Sequence, residues 1–339
     1  MFHIFSAAAN VVLPLVLVIL LGYVLRSKGF LTDEFAKIGN KLVFRVGLSV
    51  SMFISVYSIK DMASVPWSFV LYTAAAVLII FGLGAITAIL TTKDHRKRGS
   101  ILQCVYRSNF VVVGLSLATA MGGDEGAKVA SVTAAFIVPL FNILAVIALS
   151  VFLKEKDDSK HSLKPVLRSV AKNPLIWGAV IGFVCIILRE VQNRIWGETV
   201  FSLQNNLPFI YKTAEHIKSM TTPFALLILG AQFRPSQTRG MLKEISVATL
   251  WRNVLAPAVG LGLAFIVQKM GLITCGAGEW ATMIALFGGP VAAASGVMAA
   301  EMGSDEQLAT QLIVWTSIVS IFTVFTQVCI LMALGILTI

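Results

Sequence analysis

Ten apolar segments, most of them long enough to cross a lipid bilayer as a helix, follow one another along almost the whole chain. The predicted spans are residues 4–25, 36–58, 66–91, 100–121, 128–153, 174–189, 209–233, 245–268, 280–302 and 307–337. In lipid the backbone polar groups must be satisfied internally, and apolar segments of about 20 residues do so as helices. We therefore predict an all-α membrane protein with ten transmembrane helices.

The composition excludes a water-soluble protein. Of the 339 residues, 57% are hydrophobic and 13% are charged, whereas globular domains contain about 45–50% apolar and about 25% charged residues. The formal charge of +10 would suggest nucleic-acid binding in a soluble chain, but here the basic residues gather in particular loops. The four cysteines are far apart and form no C-x-x-C pair. We predict no metal, no cofactor and no nucleic-acid partner.

The seventh predicted span is the least regular. Its first half, Thr213–Thr222, contains Glu215, His216 and Lys218, and only the second half is continuously apolar. We predict that this polar half begins as a turn at the membrane interface.

The lysines and arginines predict the orientation of the chain. Of the 27, 17 lie in or beside loops that join an odd-numbered span to the next even-numbered one, and 7 lie in or beside the other loops. Cytoplasmic loops carry an excess of basic residues. The pattern therefore predicts a multi-pass protein of the cell (inner) membrane with both termini on the extracytoplasmic side.

Three arginines, Arg45, Arg107 and Arg252, fall inside predicted spans. A long basic side chain can extend along a helix and place its charge at the membrane interface. This behaviour, or contact with lipid, is our interpretation for Arg45 and Arg252. For Arg107 it competes with a second interpretation, in which the cation attracts a substrate carboxylate.

An internal repeat divides the chain into two halves. Residues 121–125 (MGGDE) and 302–306 (MGSDE) are 181 positions apart, and each follows a predicted span. The displacement of five helices is odd, so the matching turns would lie on opposite faces of the membrane. We predict a five-plus-five inverted repeat with halves 1–153 and 174–339, joined by a cytoplasmic loop at 154–173. Such folds bind substrate near the bilayer midplane, between helices with broken centres.

Breaks are predicted at corresponding places in the two halves. The ninth span contains two glycines followed by Pro290, which has no N–H to continue a helix. The 181-residue offset pairs Pro290 with Asn109 in the fourth span, and Gly114 and Ser116 follow. A simple proline kink and an interhelical hydrogen bond from Asn109 are the structural alternatives. Unwound backbone is tolerated at membrane depth only where it is buried in protein or lines a cavity.

The acidic residues limit the functional classes. No Asp or Glu lies in the middle of a predicted span, and Glu190 and Glu301 lie near span ends. A cation–proton antiporter usually needs such a carboxylate, so this alternative is disfavoured. An intramembrane enzyme would need a nucleophile–base pair or an H-E-x-x-H motif, and a pore would need rings of like charge. We predict a transporter and not an enzyme, with the antiporter and the intramembrane enzyme as alternatives.

Five segments in order resemble motifs of the auxin efflux carrier family. They match the end of its first helix, its helix-4 signature, the start of its sixth helix, its seventh helix and its ninth helix, at Leu20–Leu31, Arg107–Leu115, Lys172–Leu175, Thr221–Ala231 and Pro290–Ala292. The resemblance implies ten helices in the fold shared with bile-acid symporters and sodium–proton antiporters. Helices 1, 2, 6 and 7 would form a scaffold, helices 3–5 and 8–10 a transport domain, and helices 4 and 9 would cross at their unwound centres.

Similar proteins carry small organic anions, which are auxin in plants and dicarboxylates such as malonate or malate in bacteria. The short loop between helices 5 and 6 resembles the bacterial members. The chain departs from the family at Ser116 and at Ser49, where the family commonly has proline. We therefore do not predict auxin itself as the substrate.

These inferences together predict a secondary transporter for a small carboxylate that works by alternating access. The candidate substrate-binding residues lie at the breaks or in the family motifs; they are Arg107, Asn109, Phe110, Gly114, Ser116, Gly289, Pro290, Val291, Ser295, Ser49 and Thr222. Asn109 and Ser295 would donate hydrogen bonds, Gly289 would offer a backbone amide, and Arg107 would attract the anion. The coupling ion is left open between a proton, sodium and none; if sodium is used, it would be held near Ser116 and Ser295. The other expected partner is membrane lipid, and both a monomer and a homodimer remain open.

Overall fold

The computed structural model describes residues 2–59, 65–152 and 171–336, and within these ranges the chain is helical without any β-strand. The α-helices are α1 Phe2–Ser27, α2 Asp33–Leu42, α3 Ser49–Tyr57, α4 Trp67–Thr91, α5 His95–Tyr106, α6 Leu115–Val151, α7 Pro174–Trp196, α8 Leu203–Asn206, α9 Pro208–Gln232, α10 Leu242–Leu250, α11 Ala256–Lys269, α12 Ala277–Gly288, α13 Ala294–Glu301 and α14 Glu306–Ala333. Segments of π-helix at Val43–Leu48, Phe110–Gly114 and Trp251–Leu255 join α2 to α3, precede α6 and join α10 to α11. The prediction of an all-helical protein is confirmed.

Several helical stretches are long and apolar enough to cross a bilayer. Among the described residues they are Asp33–Tyr57, Trp67–Thr91, Leu115–Val151, Pro174–Trp196, Pro235–Lys269 and Glu306–Ala333, and Leu13–Ser27 is a shorter apolar helix. The stretch Leu115–Val151 contains a sharp break at Gly123, whose φ of +57° is accessible to glycine and strained for other residues. Most of the basic loop predicted at 154–173 lies outside the described residues.

Side-chain caps set the starts of important helices. The Asn173 side chain accepts a hydrogen bond of 3.0 Å from the Leu175 N–H, and Pro174 occupies the first helical position of α7. The Asp305 carboxylate accepts one of 2.9 Å from the Leu308 N–H at the start of α14. Both arrangements satisfy N–H groups that a helix leaves without an internal acceptor.

The polar half of the seventh predicted span is helical. The structure shows one helix, α9, from Pro208 to Gln232, which includes Thr213–Thr222 and an internal Pro223. The prediction of an interfacial turn at this place is therefore wrong. The polar residues of this segment instead lie on a helix that packs against α3 and α1.

Close helix pairs build the molecule. The helix α1 packs along α9, α3 along α7, and α6 along α12. In the α3–α7 pair, a side chain at Gly178 would collide with the Ser49 carbonyl oxygen, and one at Gly182 would meet the Val56 side chain at 2.8 Å. Small residues at these positions let the two helices approach closely, as is common between membrane helices.

Candidate functional site

Two interrupted helices cross at the centre of the protein. The helix α5 ends at Tyr106 and the chain becomes helical again at Phe110, while α12 ends at Gly288 and α13 starts at Ala294. The connecting residues run antiparallel, with a bridge between Ser108 and Val291. The Asn109 N–H donates to the Pro290 carbonyl oxygen at 2.7 Å. The Ala292 N–H donates to the carbonyl oxygen of Arg107 at 3.3 Å.

The sequence explains why the helices stop here. A helical carbonyl accepts a hydrogen bond from the N–H four residues later, and Pro290 has no N–H to offer the carbonyl of Leu286. Gly289, which has an extended backbone, ends α12. In the other break, Asn109 leaves the helical conformation, and its N–H donates to Pro290 in the segment between α12 and α13.

The residues that begin the second half of each broken helix line a central cavity of about 110 Å³. Phe110 and Val111 come from one half-helix, and Ala293 and Ala294 come from the other. The first N–H groups of a helix have no intrahelical acceptor and give its N-terminal end a partial positive charge. Two such ends at one cavity make it attractive to an anion.

Polar side chains of α3 and α9 complete the wall of this central cavity. Ser51 and Ser55 come from α3, and Lys218, Thr221 and Thr222 come from α9. Ser51 Oγ donates to Thr221 Oγ1 at 3.4 Å, and Thr221 Oγ1 donates to the Ile217 carbonyl oxygen at 2.7 Å. Hydroxyl groups can rotate and donate to an anion instead. The ammonium group of Lys218 has no ion pair or hydrogen bond with any residue that the structure describes. Glu215, one helical turn earlier on α9, acts on this charge without a direct ion pair. A cation without a directly bonded counter-ion therefore stands beside the two helix ends.

Ser108, in the crossing segment, adds a further unsatisfied group. Its side chain is buried, lines the central cavity, and its hydroxyl oxygen has no hydrogen-bond partner within the described chain. A buried polar atom without a partner is costly in a protein interior. A bound ligand would relieve that cost.

A second cavity of about 220 Å³ adjoins the central one. The two share Ser55, Val111 and Lys218 in their walls. The second cavity continues past Ser58 at the end of α3 and Ser131 of α6. It therefore extends from the central cavity toward the end of the molecule where α3 stops.

Arg107 is fixed within the protein. Its side chain is only 4% exposed, although it lines the central cavity. The guanidinium donates hydrogen bonds to Gln103 Oε1 at 3.0 Å, to Asn142 Oδ1 at 2.6 Å and to Met298 Sδ at 2.9 Å. The side chain thus does not reach the membrane interface, and its charge acts on the cavity from a fixed position.

Arg252 lies at the C-terminal ends of α5 and α12, where the first halves of the two broken helices stop. It is 1% exposed, and its guanidinium donates hydrogen bonds to the carbonyl oxygens of Val105, Leu286 and Phe287. These carbonyls belong to the last turns of α5 and α12. The interpretation that Arg252 extends to the interface or contacts lipid is therefore wrong, whereas the side chain of Arg45 is exposed as expected.

The N-terminal end of α5 is held by charge and by hydrogen bonds. Lys97 forms an ion pair of 2.8 Å with Glu244 of α10, and this hydrogen bond raises the pKa of the Lys97 ammonium group. The Asp305 N–H and the Ser304 hydroxyl both donate to the carbonyl oxygen of Arg96. These contacts fix the segment that leads into the first break.

The structure brings some of the predicted site residues together. Arg107, Asn109, Phe110 and Thr222 line the central cavity. Gly289, Pro290 and Val291 form the crossing segment but do not contribute to the wall, and Gly114 lies against the ring of Phe110. Ser295 is buried, and its hydroxyl has no hydrogen-bond partner among the residues that the structure describes. Ser116 is exposed, and Ser49 donates to the Phe44 carbonyl oxygen. These three serines do not line either cavity.

Sequence reasoning predicted only Thr222 among the polar side chains that α3 and α9 contribute to the cavity wall, and it missed the others. Lys218, Thr221 and Thr222 have the i, i+3, i+4 spacing that places side chains on one helix face, and Ser51 and Ser55 have the i, i+4 spacing. A comparison of the two helical faces could have found these groups. Neither cavity wall contains Asp, Glu or His among the described residues. Within the same residues no cluster of His, Cys, Asp or Glu could hold a metal ion.

Comparison with known proteins identifies the chain as a membrane transport protein. A sequence profile of the family described as "membrane transport protein" matches residues 7–326. The chain is also similar to an uncharacterized transporter of Methanocaldococcus jannaschii, with 24% identity over 269 residues that cover 78% of this chain and 81% of the relative. The apolar helices and the family together show a multi-pass membrane transporter. The resemblance drawn from the sequence motifs is confirmed, and the chain belongs to this membrane transport protein family of the auxin efflux carrier type.

Proposed function

We propose that this protein is a secondary transporter that moves a small organic anion across the membrane by alternating access. The observation that carries the proposal is the composition of the central cavity wall. It combines the first residues of two half-helices with Lys218, whose ammonium group has no described partner, and it contains no described carboxylate.

The charge of the site favours a carboxylate. Each helix N-terminus acts as roughly half a positive charge, and Lys218 and Arg107 add full charges beside it. In a medium of low dielectric constant such a site needs an anion to balance it. The volume of about 110 Å³ is small for a binding site, since pockets for drug-sized ligands have roughly 300–1,000 Å³. We therefore propose a carboxylate with only a few carbon atoms.

The C-terminal and N-terminal helix ends at the breaks differ in how their partial charges are balanced, and this difference supports the same proposal. At the C-terminal ends of α5 and α12 the negative partial charge is balanced by Arg252. At the N-terminal ends no described acidic side chain lines the cavity. We therefore propose that the positive partial charge at these N-terminal ends is balanced by the transported anion.

The crossing also supports the ten-helix inverted repeat. Asn109 and Pro290, which the 181-residue offset pairs in sequence, are joined by a hydrogen bond in space. The close pairs α1–α9 and α3–α7 would build the scaffold, and the broken helices would belong to the transport domain. In the orientation predicted from the basic loops, the second cavity would extend toward the extracytoplasmic side.

Thermal unfolding of the purified protein tests the proposed substrate class. Mono- and dicarboxylates of two to five carbon atoms would be compared with the amides of the same carbon skeletons and with primary amines. A ligand at about 100 times its Kd stabilises the native state by about 2.7 kcal/mol, so at least one carboxylate should raise the melting temperature while its amide does not. Stabilisation by amines or by amides to the same extent would contradict an anion site. A carboxylate that passes this test would then be used for uptake into proteoliposomes.

A further inference from the structure

Arg252 links the two broken helices through their carbonyl groups. It lies in the π-helical segment Trp251–Leu255 between α10 and α11. Its Nη1 donates to the Val105 carbonyl oxygen at 3.2 Å, and its Nη2 donates to the carbonyl oxygens of Leu286, at 3.2 Å, and Phe287. One side chain from a third helix thus contacts both breaks.

The three carbonyls are those that the crossing deprives of their usual donors. In a continuous helix the donor for Leu286 would be the N–H of residue 290, which is a proline. The donor for Val105 would be Asn109, whose N–H is directed to the Pro290 carbonyl oxygen. The donor for Phe287 would be the Val291 N–H, which donates to Thr316 Oγ1 at 3.2 Å. Arg252 replaces the missing donors of all three.

The position also has a particular charge. The C-terminal end of a helix carries a partial negative charge. Here the C-terminal ends of α5 and α12 lie together at the two breaks. Where transporters have broken helices, the exposed carbonyls and half-helix C-terminal ends are the groups that coordinate a sodium ion. The guanidinium occupies this place with a positive charge that is covalently attached to the protein. Within the described residues no carboxylate pairs with it.

We propose that Arg252 is a built-in counter-cation, covalently attached at the place between the half-helix C-terminal ends where a transporter could otherwise bind a coupling cation. The inference rests on the proposed function, because it concerns how the crossing is kept ready to bind an anion. Two consequences follow: the protein needs no sodium ion at this place, and shortening Arg252 creates an internal site for a small planar cation. The consequence for the shortened variant can be measured without knowledge of the substrate.

The test compares wild type with Arg252→Ala, Arg252→Met and Arg252→Lys by thermal unfolding in choline chloride. Millimolar sodium or guanidinium chloride then replaces part of the choline at constant ionic strength. We expect guanidinium to raise the melting temperature of Arg252→Ala by about 2 °C or more. The melting temperature of the wild type should not change, because the guanidinium of Arg252 already occupies the site. Arg252→Met, whose side chain fills the space without a charge, should not respond either.

Transport provides the second measurement. With a carboxylate identified by thermal unfolding, wild-type uptake should be equal in sodium and choline. Uptake by Arg252→Ala should be reduced at least about tenfold and recover at least about threefold with guanidinium, while Arg252→Lys should keep part of the activity in choline. A wild type that is stabilised or activated by sodium over choline would overturn the proposal, even if the alanine variant does not fold. So would an alanine variant that folds and gains nothing from guanidinium. If no carboxylate is transported, the proposed function fails while the unfolding measurements still decide the role of Arg252.

Discussion

The main-chain N–H of Asn109 donates a hydrogen bond of 2.7 Å to the main-chain carbonyl oxygen of Pro290. The two residues are separated by the 181-residue offset of the predicted repeat, so positions that this repeat would pair are in direct contact. The bond fixes the backbone of Asn109 at the wall of the central cavity. Asn109 directly precedes the half-helix that begins at Phe110, and it lines the same cavity as Ala294, the first residue of α13.

Replacement of Asn109 by alanine should weaken the binding of the transported anion. A hydrogen bond to a charged group contributes about 1.5–3 kcal/mol, so we expect a loss of about ten- to a hundredfold in affinity. Arg45→Ala is the control, because Arg45 is exposed and does not line the cavity. Calorimetric titration with the carboxylate that stabilises the wild type would measure both. Unchanged affinity in a folded Asn109→Ala protein would exclude the crossing as the binding place.

Lys218→Met should reduce anion affinity by at least about tenfold, because it removes a charged donor and keeps the length of the side chain. Lys212→Met offers a matched control on the same helix, since Lys212 is exposed and does not line either cavity. Lys218→Arg should retain most of the affinity. Equal effects of the two methionine substitutions, measured in the same titration, would show that Lys218 does not bind the anion.

Accessibility labelling can test the inverted repeat. The turns that contain the two matching segments, residues 121–125 and 302–306, should face opposite sides of the membrane, the first outside and the second in the cytoplasm. Gly123 has a positive φ and Ser304 is only 2% exposed, so neither is a suitable cysteine position. Asp124 is exposed, and Lys93 is exposed near Arg96, whose carbonyl oxygen binds Ser304. In a cysteine-free background, Asp124→Cys and Lys93→Cys should react with an impermeant reagent from opposite sides. Labelling of both from one side would contradict the repeat.

Uptake should depend on pH only through ionisation of the substrate. Neither cavity wall contains a described His, whose side chain ordinarily titrates near neutral pH, or a described Asp or Glu, whose pKa burial can raise into that range. After correction for the ionised fraction of the substrate, we expect less than about a twofold change in the initial rate between about pH 5 and 8. Glu301→Gln should behave like wild type. A steep residual pH dependence that this substitution removes would identify Glu301 as a proton-coupling carboxylate.

The sequence was sufficient to predict the helical membrane fold, the family and the two breaks. Hydropathy averages a segment over all its faces, so it locates apolar spans well. It fails where a membrane helix is polar on one face: the segment around Lys218 was predicted to be a turn, yet it is helical and lines the cavity. The break at Pro290 can be predicted from the sequence because proline has no N–H wherever it stands.

The role of Arg252 could not be predicted in the same way. Its hydrogen bonds go to carbonyls 147, 34 and 35 positions away in the chain, and no local pattern encodes such partners. Depth in the span suggested an arginine that reaches the interface. The decisive information is tertiary, because only the crossing leaves three carbonyls without donors at one place.

The crossing has a consequence for biosynthesis. Ser108 and Val291, which form the bridge between the two breaks, are separated by more than half of the chain. During synthesis the first break is made long before the second, and its unpaired N–H and C=O groups are costly in hydrocarbon until their partners arrive. The first half must therefore either keep a continuous, non-native helix through residues 107–109 or remain shielded from lipid. A truncated chain that ends before α10 would lack both Arg252 and the opposite strand of the bridge, and it should be a preferred substrate for membrane proteases.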